Sequence, residues 1–366
     1  TGEASASGGI GKPISTPLGP GPSLGRMTAA IRIAADIGGT FTDIALDVRG
    51  KLSSTKVLTN YTAPEQAILD GIEIVMRDAG ITPADMDIVL HGTTLATNAL
   101  IERRGARTAL VTTEGFRDVI EMRTENRFEQ YDLNLRLPTP LIPREDRFVV
   151  AGRIGAQGQE LAPLDEAALE EIADHIAAEG FGAVAIGFIH SYMNPAHEER
   201  AREIIAAKVK APISISSEVS PQMREFERFN TVCANAYVRP QMADYLARLQ
   251  VRLKEMGAKC PVFMIHSGGG LISVETASEF PVRLVESGPA GGATSSQPQS
   301  TSRPPRVARV ALTAPNPRGG GPPPPRGGRD ASSLWRRQHR QLRHFQGRRR
   351  PGRARDRAGS SRRGGW

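Results

Sequence analysis

The sequence predicts an α/β fold, and three observations carry that prediction. Between residues 30 and 293, short apolar or β-branched runs alternate with longer segments of helical periodicity. Several of the apolar runs stop at glycine- and hydroxyl-rich turns, as strands do where they meet loops at a sheet edge. No segment repeats at a period of roughly 20–50 residues, so the alternation builds a layered sheet and not a stacked array.

The first element is the run Ala30–Ala35. It enters Asp36-Ile37-Gly38-Gly39-Thr40-Phe41-Thr42-Asp43 and continues as Ile44-Ala45-Leu46, so strand, tight turn and strand make a β-hairpin. Ser53–Val57 reads as a third strand, and Pro64 opens a helix to about Ala79. Asp87–Leu90 is a buried strand that stops at His91-Gly92-Thr93-Thr94. A helix over Asn98–Arg104 and a strand over Thr108–Thr112 follow. Regular signals fade over 126–141, which reads as a long surface excursion. Beyond it come a strand from Arg147 to Arg153, an amphipathic helix over Asp165–Glu179 and a strand at Val184–Ile189. Pro195–Ala207 is helical and Ile213–Ser216 extended. Phe226–Met256 is largely helical, with a break expected at Arg239-Pro240 because proline lacks an N–H and crowds the preceding turn. Pro261–Ile265 is a last strand, ending in Ser267-Gly268-Gly269-Gly270.

Charge divides the chain. Of 47 Lys and Arg, 18 are arginines within residues 294–366, a stretch with only two Asp. Residues 1–293 keep 29 basic against 37 acidic residues and are mildly acidic. Only Cys233 and Cys260 occur, which excludes a disulfide framework or a cysteine-rich zinc site and suits a cytoplasmic protein. No apolar run is long enough to span a membrane. Residues 1–29 are rich in Gly, Pro and Ser, without the basic and apolar regions of a secretory signal. They read as a disordered lead, with Met27 as a natural start.

Chemistry concentrates in the strand-end loops. Glycines let a backbone approach a bulky anion, and successive N–H groups in a turn form an anion-binding concavity. At the hairpin tip Gly38, Gly39, Thr40 and Thr42 are the candidate phosphate contacts, and Asp36 and Asp43 could hold hydrated Mg²⁺. The plain alternative is an ordinary Gly-Gly hairpin. His91, Gly92, Thr93, Thr94 and Asn98 stand where a strand passes into a helix, and serve either to cap it or to hold an anion there. Ser267-Gly268-Gly269-Gly270 and Glu286-Ser287-Gly288-Pro289-Ala290-Gly291-Gly292 are two more such loops, each readable alone as a turn. His190, His197 and Glu198 offer metal-ligand chemistry, but a turn at Asn194-Pro195 separates the histidines, and capping by Asn194 is the favoured role. Arg224, Glu225, Glu227, Arg228 and Asn230 read as a solvated or inter-domain helix face. Cys233 reads as core. No Ser-His-Asp or Cys-His spacing assigns a catalytic residue.

Together these motifs resemble the hydantoinase A/oxoprolinase family, which includes ATP-dependent N-methylhydantoinases, 5-oxoprolinases and acetone carboxylase subunits. The resemblance runs from Arg32 to Ala293. It rests on Asp36–Asp43, His91–Asn98, Phe188–Tyr192 with Asn194–Glu198, His266–Gly270 and Glu286–Gly292, in that order. It implies an actin-like, ribonuclease H-like ATPase lobe with an α/β insertion, ATP and Mg²⁺ as cofactors, and phosphoryl activation of a small cyclic amide. It also implies a separate B-type subunit as partner. On this reading residues 30–205 form the family's N-terminal region and 206–293 begin its core domain. An acetone-carboxylase-like subunit is the nearest alternative.

Residues 294–366 depart from the family. They lack Ile, Glu, Lys, Tyr, Met and Cys and have no helical or strand period, which predicts disorder. The family's second Asp-x-Gly-Gly-Thr loop is not found in the chain. Trp335–Arg340 is compatible with codons that, displaced by one base, read Gly-Gly-Gly-Ser-Ile. An out-of-frame, truncated and inactive product is the favoured expectation. An arginine-rich nucleic-acid arm and a proline-rich linker are the alternatives, and nucleic acid is not an expected partner.

Overall fold

The computed structural model describes residues 31–124, 131, 132, 134, 137–285 and 287. The expected lead, the loop from Gly288 to Gly292 and the Arg-rich tail lie outside the described residues. In chain order the elements are β1 (Ile31–Ile37), β2 (Phe41–Val48), β3 (Lys51–Leu58), α1 (Pro64–Ala79), β4 (Ile88–Thr93), α2 (Leu95–Ile101), β5 (Thr108–Thr113), α3 (Val119–Met122) and β6 (Arg147–Val150). There follow β7 (Arg153–Ile154), β8 (Glu160–Ala162), α4 (Glu166–Ala178), β9 (Ala183–Gly187), α5 (Ala196–Ala206), β10 (Ile213–Ile215), α6 (Ser216–Val219), α7 (Glu225–Glu255), β11 (Val262–Ile265), β12 (Leu271–Ser273) and α8 (Val274–Glu279).

Two sheets organise these elements. The larger has the order β12-β11-β4-β1-β2-β3. β1, β2 and β3 form an antiparallel meander; β4 runs parallel to β1, and β11 parallel to β4. Strands from residues 30–205 and from 206–293 thus share one sheet. Alternation sets its inner face: Ile33, Ala35 and Ile37 point inward, opposite Leu46, Ile44 and Thr42 on β2. That face packs on α1 and on the Val238–Leu253 part of α7. The smaller sheet, β10-β9-β5-β6, is wholly parallel. Both of its faces are buried, as parallel sheets require, by α4 and α5 on one side and by Phe229–Ala236 of α7 on the other.

The long helix corrects two expectations. It runs unbroken from Glu225 to Glu255 with Pro240 inside it. Packing against the cores of both sheets holds the helix through the proline, and the carbonyl of Tyr237, within the turn before Pro240, accepts the Ala106 amide (2.9 Å). The approach is close enough that a Cβ on Gly105 would lie 2.1 Å from the Tyr237 ring. Arg228, expected on a solvated or inter-domain face, is fully buried. Its guanidinium donates to the Ser216 hydroxyl (3.1 Å) and to the carbonyls of Gln222 (3.1 Å) and Phe188 (2.6 Å). Ser216 in turn donates to the buried Glu198 carboxylate (2.6 Å), which also receives the amides of Phe188 and Ser217 (both 2.8 Å). Glu198 is therefore a structural anion at the carboxyl end of the smaller sheet. His197 pairs with Glu160 (2.7 Å). The N-cap of α5 is Pro195, not Asn194; the Asn194 side chain forms the turn before it, accepting the Ala196 amide (3.1 Å). Among the described residues no cluster of three or more His, Cys, Asp or Glu could hold a metal, and no helix is long and apolar enough to cross a membrane.

Candidate functional site

In open α/β sheets, ligands sit outside the carboxyl ends of parallel strands. β1, β4 and β11 are adjacent and parallel, so the turn after β1, the β4–α2 junction and the loop after β11 all open at one edge of the larger sheet. These are three of the loops singled out in the sequence. Ser287, from the next motif, reaches the same edge: its buried hydroxyl donates to the carbonyl of Thr93 (3.1 Å). Gly288, Gly291 and Gly292 lie outside the described residues.

The turn after β1 has its tip open to solvent. The Gly38 amide closes it by donating to Phe41 O (3.0 Å), and a Cβ at position 38 would meet that oxygen at 3.0 Å. Gly39 and Thr40 are exposed, and among the described residues their amides donate to no protein acceptor. The carbonyls of the turn are all engaged. Gly38 O accepts the Thr59 hydroxyl (3.0 Å), Gly39 O accepts the Tyr61 hydroxyl, and Thr40 O accepts the Thr59 amide (3.0 Å).

Thr42 differs from its sequence-based role. It is fully buried on the inner face, and its hydroxyl lies 3.0 Å from that of Thr59. Because Thr59 Oγ1 spends its proton on Gly38 O, Thr42 is the donor of that pair. The side chain orients Thr59 and does not line the tip.

Asp36 and Asp43 face each other across the hairpin on the outer face of the sheet. Lys56, the register partner of Asp43 on β3, holds it at 2.7 Å. On the other side Asp36 covers Gly92, where a Cβ would lie 2.8 Å from its carboxylate oxygen. Lys56, Asp43, Asp36 and Gly92 therefore form one row across four strands. Desolvation, and then the neighbouring Asp43 charge, raise the Asp36 pKa.

The β4–α2 junction is mostly a clamp. His91, placed by sequence in a loop, is fully buried on β4. Its Nδ1 lies 3.0 Å from Ala35 O, which can only accept, so Nδ1 carries the proton. Nε2 then accepts from the Tyr245 hydroxyl (2.6 Å) of α7. Burial pushes the imidazole pKa down to about 4 and raises that of Tyr245, so both groups are neutral. Thr94 donates both its amide and its hydroxyl to Ile37 O (3.1 Å each), and Thr93 Oγ1 accepts the Leu95 amide (3.2 Å). The Asn98 side chain donates to Thr94 Oγ1 (3.3 Å). These residues fasten β4 to β1 just beneath the tip.

The loop after β11 folds around its own histidine. Gly268 N donates to His266 Nδ1 (3.0 Å), Gly269 N to His266 O (2.8 Å) and Ser267 N to Arg283 O (2.9 Å). A Cβ at either Gly268 or Gly270 would lie 2.6 Å from the imidazole. The glycines here serve a close approach to His266, and the exposed Ser267 side chain stands at the rim. Sequence reasoning missed Thr59 and Tyr61, whose part depends on where β3 ends, and Tyr245, which meets His91 across 154 residues of chain.

The model of the hydantoinase/oxoprolinase N-terminal region matches residues 32–209, and that of the hydantoinase/oxoprolinase domain matches 228–304. The chain belongs to the hydantoinase/oxoprolinase family. This family member is 37% identical over 267 residues to the caprolactamase subunit alpha of Pseudomonas jessenii, a match covering 71% of the chain and 38% of the relative. The crystal structure of the ATP-dependent caprolactamase from the same organism superposes with a TM-score of 0.66 at 36% identity, covering 71% of this chain and 39% of that one. Nucleotide-free acetone carboxylase superposes with a TM-score of 0.65 at 25% identity, covering 72% and 40%. The fold is thus the α/β, actin-like ATPase type with an α/β insertion, represented in part. The chain spans two fifths or less of the length of the first curated relatives it matches.

Proposed function

We propose that this chain is one jaw of an ATP clamp in an enzyme that opens a small cyclic amide. The single observation that carries the reading is the turn at Gly39 and Thr40, whose two open amides stand beside a carboxylate pair at the carboxyl edge of the sheet. Open amides suit a phosphate. Asp36 and Asp43 suit a hydrated Mg²⁺, which keeps several waters and takes one or two carboxylates; desolvation first, and then the Asp43 charge, raise the Asp36 pKa, and a bound cation would offset both. Bound there, Mg²⁺ would neutralise phosphate charge. Gly39 and Thr40 would orient the phosphates, with Gly38 closing the turn behind them, and the row from Lys56 to Gly92 would hold the carboxylates in place.

Family membership supports ATP as the nucleotide and a lactam as the substrate class. An unstrained amide resists water, whereas phosphorylation of its oxygen makes that oxygen a leaving group. Phosphoryl transfer asks chiefly for alignment and charge stabilisation. A relative named as a subunit supports a second subunit as partner. We place residues 30–205 and 206–293 in one nucleotide lobe because their strands share a sheet. The Asp-x-Gly-Gly-Thr pattern occurs once in the sequence, so this chain alone is expected to bind ATP weakly and not to turn over a lactam. The likeness to acetone carboxylase supports a second reading, a carboxylase-type subunit.

Titrating the full chain with ATP, with and without Mg²⁺, tests the proposal by the ¹⁵N amide shifts of Gly39 and Thr40. Mg²⁺-dependent saturation of both shifts is expected; no movement overturns the site. With the second subunit added, ATP hydrolysis stimulated by a lactam supports the first reading. Hydrolysis that requires bicarbonate supports the second.

A further inference from the structure

We propose that Thr59 and Tyr61 are positioning residues that aim the amides of Gly39 and Thr40 at the bound phosphate. This role rests on the phosphate reading of the turn. In a trans peptide the carbonyl and the N–H of one plane point in opposite directions. The carbonyl of Gly38 shares its plane with the amide of Gly39, and the carbonyl of Gly39 with the amide of Thr40. Thr59 Oγ1 holds the first carbonyl at 3.0 Å and the Tyr61 hydroxyl holds the second. The Thr59 amide holds the third, at Thr40 (3.0 Å). Residues 59–61 therefore pull every carbonyl of the turn to one side and leave the two open amides facing the other.

Donation to a carbonyl also polarises the amide across the same peptide, which makes it a better donor to an anion. The Thr42 hydroxyl extends the chain by donating to Thr59 Oγ1 (3.0 Å), so a fully buried side chain anchors the strap from below. On the far side the Asn60 carboxamide accepts the amides of Thr62 (2.9 Å) and Ala63 (3.2 Å), which joins the strap to the start of α1. Without these bonds a Gly-Gly turn has the freedom to rotate its peptide planes. Tyr61 is 78% exposed. Its ring contributes little to the core, and its hydroxyl is spent on the turn.

The full chain and its Tyr61→Phe, Thr59→Val and Thr59→Ser variants are titrated with ATP and Mg²⁺, reading the Gly39 and Thr40 amide shifts and the melting temperature. Tyr61→Phe is expected to weaken ATP about three- to tenfold, the worth of one hydrogen bond. It is expected to leave the melting temperature within about 2 °C, as for an exposed side chain. Thr59→Val weakens ATP further and Thr59→Ser restores it, because serine keeps the hydroxyl. If the wild-type amides move with ATP but Tyr61→Phe and Thr59→Val bind as wild type, the positioning role is overturned while the site stands. If the wild-type amides do not move, the phosphate reading falls and takes this role with it.

Discussion

His91 shows how far a residue's role depends on its neighbours. The sequence places it among polar loop residues; the fold buries it as a neutral imidazole between Ala35 and Tyr245. Its pKa falls from 6.5 unfolded to about 4 folded. The unfolded chain therefore binds the proton first as the solution is acidified. The stability His91 confers is complete above pH 6.5 and is lost as the pH falls toward 4, on the order of 3 kcal/mol in all. Urea unfolding at pH 7 and pH 4.5 should show the wild type losing about 2 kcal/mol more than His91→Gln over that interval. Equal losses would refute the assignment. At this scale the sequence revealed which segments meet at the site, because glycine and hydroxyl residues at strand ends are local signals. It did not reveal which side chains turn inward. Thr42 and Thr40 are two residues apart in one motif, yet Thr42 is sealed into the sheet's inner face and Thr40 is exposed, because β2 begins at Phe41 and Thr40 still belongs to the turn.

Among the elements, α7 carries the fold. Tyr245 ties it to the larger sheet, and Arg228 ties it to the loop after β9 in the smaller one. Arg228→Met would remove the guanidinium donor from the Ser216 hydroxyl and from the carbonyls of Gln222 and Phe188. The Phe188 carbonyl keeps the Ser191 hydroxyl, but the buried Glu198 is left without a nearby cation. The expected cost is about 3–5 kcal/mol, read as a lower urea midpoint. The control Glu227→Gln, on the exposed side of the same turn, should change the midpoint little. Helix periodicity made the extent of α7 legible in the sequence. Its continuity through Pro240 was not, because the packing that holds the helix on both sides comes from distant segments. The small elements β7, β8, β12 and α6 escaped the sequence for a related reason: two to four residues carry too little periodicity to stand out.

For the whole molecule, alternation of strands and helices was enough to indicate α/β architecture, and five ordered motifs were enough to indicate the family. What alternation could not convey is that β11 and β12 return, after the whole of the smaller sheet, to complete the first one. Such a return is a long-range pairing with no local signature. It has a measurable outcome. The two sheets and α7 should melt as one unit, with a calorimetric enthalpy equal to the van't Hoff enthalpy for residues 31–287. Two resolved transitions would show that the sheets are independent.

Arg228 and Tyr245 are also the two ends of a strut. Seventeen residues of helix separate them, about 25 Å of rigid rod. A rod bonded at both ends fixes the distance between the carboxyl edge of one sheet and the interior of the other. The body can tilt as a whole, but it cannot breathe between its sheets without breaking a buried hydrogen bond. A change in the spacing of the two sheets must therefore begin at one of these two bonds.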